Sequence, residues 1–226
     1  MTVAGTGPSG APAAGGNPLE VLQRIRRAQP HSDPGERCDL CRAEIGGEHA
    51  HIVDLEGRGL LCACRACWLL FSSEGAGGGH FRAVPDRVLR VDGFALSPGQ
   101  WDDLQIPVSV AFFFRNSALD RVAAFYPSPA GATESLLALE TWDEVVAANP
   151  VLAGLSADVE AVLLHAGHSG PRCYIVPIDV CYELVGVLRR CWRGFDGGED
   201  ARRALGDYFT RVEARAKRVP AGGVGG

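Results

Sequence analysis

Apolar positions along the chain follow different rhythms, and each predicts a different element. From Val108 to Phe114 every residue except Ser109 is apolar, which suits a strand covered on both faces. Asn116-Ser117-Ala118-Leu119-Asp120 turns the chain and Arg121 to Tyr126 returns, predicting a hairpin. Pro127 to Gly131 reads as a loop, and Val159 to Leu164 and Arg172 to Val176 as two further short strands. Ala201, Ala204, Leu205, Tyr208, Phe209 and Val212 repeat at the spacing of one helix face. Val180, Leu184, Val185 and Leu188 share the face of another helix, which Asp179 is placed to cap. Thr141-Trp142-Asp143-Glu144 has the form of a capping box, opening a helix that Pro150 stops.

The same reading divides the chain. Residues 1–16 are dominated by Gly, Pro and Ala and predict a disordered tail. Asn17-Pro18 followed by Leu19, Leu22 and Ile25 predicts a short amphipathic helix over 17–30. Residues 36–79 read as a small cysteine-bearing module. Within it, Glu48 to Leu61 predicts a β-hairpin with a Gly-containing turn, and Trp68-Leu69-Leu70-Phe71 a strand or turn packing the module onto its neighbour. Residues 81–217 predict an α+β domain with a mostly antiparallel sheet, and 218–226 a second disordered tail.

Composition narrows the functional classes. Of 226 residues, 46% are apolar and 22% charged, so most of the chain can bury a core. The net charge of −5 argues against a surface that coats nucleic acid. No apolar run reaches the length of a membrane span, so no membrane insertion is expected. The first seventeen residues lack the charged and apolar regions of an export signal. A cytoplasmic location is therefore expected, in which thiols stay reduced and ligate metals. Lys217 is the sole lysine among the 22 basic residues, a codon bias without chemical meaning.

The cysteines carry the strongest chemical signal. Cys38, Cys41, Cys62, Cys64 and Cys67 fall within thirty residues, as C-D-L-C, a gap of twenty, then C-A-C-R-A-C. Two C-x-x-C pairs brought together by a hairpin predict a four-thiolate metal site of Cys38, Cys41, Cys64 and Cys67. Cys62 then stands as an alternative ligand or a buried thiol. His49 and His51 share a strand face, either as a polar face or as ligands to the same or a second metal. Four thiolates satisfy the tetrahedral preference of zinc, and a rubredoxin-like iron uses the same set. Rubredoxin knuckles carry a glycine after the second cysteine of each pair. Arg42 and Trp68 stand there instead, which favours zinc.

The larger domain offers weaker signals. Asp179 and Glu183 are paired carboxylates at i, i+4, which suits acid–base chemistry or simply the start of a helix. Cys181 lies near that helix start, where a thiolate is stabilised, and His165 or His168 would be its partner in a catalytic pair. Phosphate-loop, dinucleotide and nucleophile-elbow patterns are absent.

Several strings are unusual enough to be diagnostic. They are Leu61-Cys62-Ala63-Cys64-Arg65-Ala66-Cys67 with Leu69-Leu70-Phe71, Phe81 to Asp86, Ala124 to Ser135, Val176-Pro177-Ile178-Asp179 with Tyr182-Glu183-Leu184-Val185, and Trp192-Arg193-Gly194-Phe195. Over about residues 36 to 215 the chain resembles the bacterial family DUF5947. Its members look to be encoded beside [NiFe] hydrogenase genes, so the resemblance implies a hydrogenase accessory role. The resulting expectation is a small zinc-ribbon or rubredoxin-like knuckle followed by an α+β domain. Its function is that of a non-catalytic accessory or assembly protein, whose partner is a hydrogenase subunit or maturation factor. A rubredoxin-like electron carrier is the first alternative, and an enzyme using Asp179, Cys181 and Glu183 the second.

Overall fold

Strand β5 (Val110–Asn116) lies in the middle of the larger sheet, and its side chains show why it is apolar on both faces. Val110 and Phe112 point into one core, Ala111 and Phe113 into another, and all four are buried. The computed structural model describes residues 35–73, 75–135, 139–167, 170–194 and 197–223. The tail and helix expected over 1–30, and His168 and Phe195, lie outside the described residues.

The larger sheet has seven strands in the order β10-β4-β9-β8-β5-β6-β7. These are β4 (Leu89–Asp92), β5, β6 (Arg121–Ser128), β7 (Gly131–Ser135), β8 (Glu160–Gly167), β9 (Gly170–Pro177) and β10 (Lys217–Pro220). Every pairing is antiparallel except β10 on β4. The α+β class with a mostly antiparallel sheet is therefore present as expected. The hairpin β5–β6 and the strands around Val159 and Arg172 stand where the sequence places them.

Helices cover both faces. Helix α4 (Ile178–Cys191) and helix α5 (Gly198–Arg215) pack Leu184, Leu188, Tyr208, Phe209 and Val212 against the face of Phe112. On the opposite face Trp142 and Val145 of helix α3 (Leu139–Ala148) join Leu104, which closes helix α2 (Pro98–Asp103). Trp142 stacks on Phe113 at 4.4 Å between ring centroids. Helix α2 carries a complete capping box from Ser97 and Gln100.

The smaller sheet has the order β2-β1-β3, with β1 (Ala50–Asp54), β2 (Gly59–Ala63) and β3 (Phe81–Ala83). Its β1–β2 hairpin was expected. Asp54 Oδ1 accepts from the amides of Glu56 and Gly57 to close the turn. A Cβ at residue 57 would come within 2.4 Å of the Asp54 carboxylate, which is why a glycine stands there. Phe81–Ala83, placed by sequence at the start of the larger domain, pairs with β1 instead.

Five local expectations are corrected. Trp68 to Phe71 belongs mostly to helix α1 (Arg65–Leu70), because the sulfur of Cys64 caps that helix and the Trp68 indole donates to Val84 O at 2.7 Å. In place of the loop read over Pro127 to Gly131, Pro127 and Ser128 end β6 and Gly131 opens the edge strand β7, which its ladder to β6 stabilises. Residues 218–220 are not tail but complete β10, because β4 offers its free edge. Helix α4 starts after Pro177, so Asp179 sits in its first turn rather than at its cap. Likewise helix α3 starts at Leu139, so Thr141 is inside it.

Candidate metal centre

The first cysteine pair is set by a turn. Arg42 N donates to Cys38 O, and Cys38 N to Ala43 O, each at 2.8 Å. Arg42 adopts φ +64°, the left-handed region that usually calls for glycine. The turn keeps a glycine-type backbone although the sequence has arginine there. Asp39 then fixes the turn to β2: its amide donates to Cys62 O, and its carboxylate accepts from Cys62 N, both at 2.8 Å.

The second pair opens helix α1. Cys64 is the N-cap residue, and its sulfur accepts from the amide of Cys67 at 3.5 Å. A thiolate at that position is favoured by the partial positive charge of the helix start. The hairpin brings the pairs together, with the Cys41 and Cys64 sulfurs 3.7 Å apart and all four sulfurs within 4.8 Å of one another. Bonds of about 2.3 Å to one tetrahedral ion place sulfurs roughly 3.8 Å apart, so this cluster can hold a metal ion.

The electrostatics of the thiols support that capacity. Burial pushes the Cys38 thiol up, but the amides of Cys64, Cys41 and Leu40 outweigh it and bring it down to about 6. The Cys67 amide lowers Cys64. Burial and the neighbouring sulfurs hold Cys67 up at about 12. The polypeptide alone thus ionises part of the set and leaves the rest protonated. A divalent cation bound there would supply the charge that lets all four act as thiolates.

A second group of donors lies beside this one. His51 faces Cys62 directly in the β1–β2 register, and His49 is two residues before His51 on the same side. One donor atom from each of His49, His51 and Cys62 falls within 4.8 Å of the others. The sequence showed the shared face of the histidines but not the register that adds Cys62.

The residues singled out in the larger domain do not converge in the same way. Cys181 is fully buried in the core, and burial, with Asp179 adding to it, raises its thiol well above its ordinary value. It is therefore a protonated core thiol, unsuited to nucleophilic attack. Asp179 accepts a hydrogen bond from His51 at 2.8 Å, and Glu183 is 3.6 Å from Arg211. His165 stacks on Phe209 at 4.2 Å and contacts Arg172 at 3.1 Å. A feature absent from the sequence reading is the pair Leu69 and Leu70, which are 55% and 68% exposed on helix α1 beside Cys67.

A family model described as "Family of unknown function (DUF5947)" matches residues 37–216. The chain belongs to DUF5947. The match covers the smaller sheet, the four cysteines and all of the larger sheet except β10. No similar curated protein and no similar solved structure was found. Among the described residues of this DUF5947 chain, no helix is long and apolar enough to cross a membrane.

Proposed function

We propose that this chain is a non-catalytic accessory protein in which a zinc-ribbon-like knuckle, held by zinc at Cys38, Cys41, Cys64 and Cys67, presents a docking surface to a protein client. The observation that carries this reading is the coupling of the thiolate cluster to helix α1. Cys64 caps the helix, Cys67 sits in its first turn, and Leu69 and Leu70 project from its remaining turn into solvent. A helix of six residues does not persist in water by itself. The metal would supply the missing stability and so fix the position of the two leucines. Exposed leucines of this size are what a hydrophobic partner covers.

The client in this reading is a hydrogenase subunit or maturation factor, following the association that the family resemblance implies. The test is hydrogenase maturation in a strain carrying variants of this chain. Leu70→Asp should keep the metal and the fold but lose maturation, and Cys64→Ser should lose both metal and maturation. Normal maturation in both variants would end the proposal.

Exposure of Cys41 favours one other reading, a rubredoxin-like one-electron carrier, since an accessible sulfur shortens the path to a redox partner. Ferric thiolate is red and zinc thiolate colourless, so the absorption spectrum of the purified protein separates the two.

A further inference from the structure

We infer that His49, His51 and Cys62 form a second metal site, distinct from the four-cysteine cluster, for a single zinc-class divalent ion with one coordination position left open. The donor set is the first support. Two imidazoles and a thiolate suit zinc and its neighbours, whereas calcium and magnesium take oxygen. Three protein ligands are the number that leaves a fourth tetrahedral position for water or an outside donor.

The orientation of the rings is the second support, and it is independent. His49 Nδ1 is 2.9 Å from Gly46 O and 3.2 Å from Glu36 Oε2. That leaves Nε2 as its free nitrogen. The His49 side chain is only 9% exposed, and among the described residues its Nε2 is buried without a hydrogen-bond partner. An imidazole nitrogen taken from water and left unpaired is destabilising. A metal ion at that atom removes the cost. His51 has the same arrangement: its Nδ1 meets Asp179 Oδ2 at 2.8 Å, which leaves its other nitrogen available. Carboxylate and carbonyl partners on the far nitrogen are how ligating histidines are commonly oriented.

The third support is position. The rings stand 4.8 Å apart, and both histidines line a cleft of about 1230 Å³ between the smaller sheet and helices α4 and α5. Cys62 completes the set from the strand opposite. Donors on one tetrahedral zinc stand roughly 3.3–3.7 Å apart, so side-chain rotation of under an ångström or two closes the site. In this assignment Asp179 is a positioning residue for His51.

The experiment is a zinc titration of the full chain, stripped of metal under reducing conditions, with bound zinc counted by mass spectrometry of the metal. Two equivalents per chain are expected. The variant His49→Ala/His51→Ala should bind one, with an unchanged circular dichroism spectrum, and Cys62→Ser should weaken the same equivalent. Asp179→Asn should weaken the second equivalent about 10–100-fold and leave the first untouched. Cobalt gives a separate readout, because one Co–S bond should add about one quarter of the charge-transfer absorbance of a four-thiolate site. A single equivalent in the unaltered chain that the double histidine variant still binds would overturn the site, and so would two equivalents retained in that variant. If the four-thiolate reading alone is wrong, the four-thiolate absorbance is missing while the equivalent lost in the double variant remains.

Discussion

His51 and Asp179 are joined by a hydrogen bond of 2.8 Å across 128 residues of sequence. It links β1 of the smaller sheet to the first turn of α4 in the larger domain. The other links include Val84 N to His51 O at 3.0 Å, Arg82 to Ala157 O at 3.0 Å, and the packing of Val53 and Leu60 against the larger core. The core of the smaller sheet itself is built around Cys38, Ile52, Ala63 and Cys67. Two of those four are cysteines of the cluster, so a metal held by those sulfurs would act directly on a core this small.

Chelation should therefore act locally. With the metal stripped by a strong chelator under reducing conditions, limited proteolysis should cut within residues 36–79. A fragment of about residues 84–221 should survive, because it holds both cores and β4 and β10, and those cores contain none of the four cluster cysteines. Simultaneous loss of both parts at equal rates would show that they unfold as one.

Glu160 provides a stability test away from the cysteines. Its carboxylate has no solvent exposure, and Arg87 holds it at 2.5 and 2.7 Å while Ser156 N donates at 2.9 Å. Arg87→Met should strand a buried charge and destabilise the fold by about 3 kcal/mol in urea unfolding. Glu160→Gln combined with Arg87→Met should recover part of that loss.

Leu69→Asp and Leu70→Asp should change unfolding free energy by less than about 0.5 kcal/mol, since both side chains already face water. The same variants should abolish client binding, which a pull-down with the purified client checks. A large loss of stability in either would mean that the leucines are structural.

Acid should weaken the larger domain through His165. Burial lowers its pKa to about 4, with the Arg172 guanidinium acting in the same direction. The folded state thus prefers the neutral ring, while the unfolded chain protonates near 6.5. Its contribution is present above 6.5 and is lost as pH falls from 6.5 towards 4. Unfolding midpoints measured across that window should fall, and His165→Gln should flatten the slope.

How far the sequence reached depended on whether the deciding interaction was local. The β1–β2 hairpin and the two C-x-x-C pairs are local patterns, and so is the apolar face of α5. Each was legible. Helix α1 was not, since Trp68-Leu69-Leu70-Phe71 is a bare apolar run. Its helical form rests on the sulfur cap of Cys64 and on Trp68 reaching Val84 O, sixteen residues away. Edge strands β7 and β10 escaped notice for a related reason. Gly131–Ser135 and Lys217–Pro220 have little apolar pattern, and only the ladders to β6 and β4 make them strands. At the candidate metal centre the sequence singled out the four sulfurs that the structure brings together. The union of His49, His51 and Cys62 needed the register of β1 on β2.

The strand β10 also has a practical outcome. It starts at Lys217, the chain's single lysine, which is exposed at the margin of the larger sheet. Side-chain amine chemistry is thereby concentrated at one point. A lysine-directed dye will report on that margin, and a cross-link from this ε-amine to any other protein will locate its neighbour beside β10 and β4.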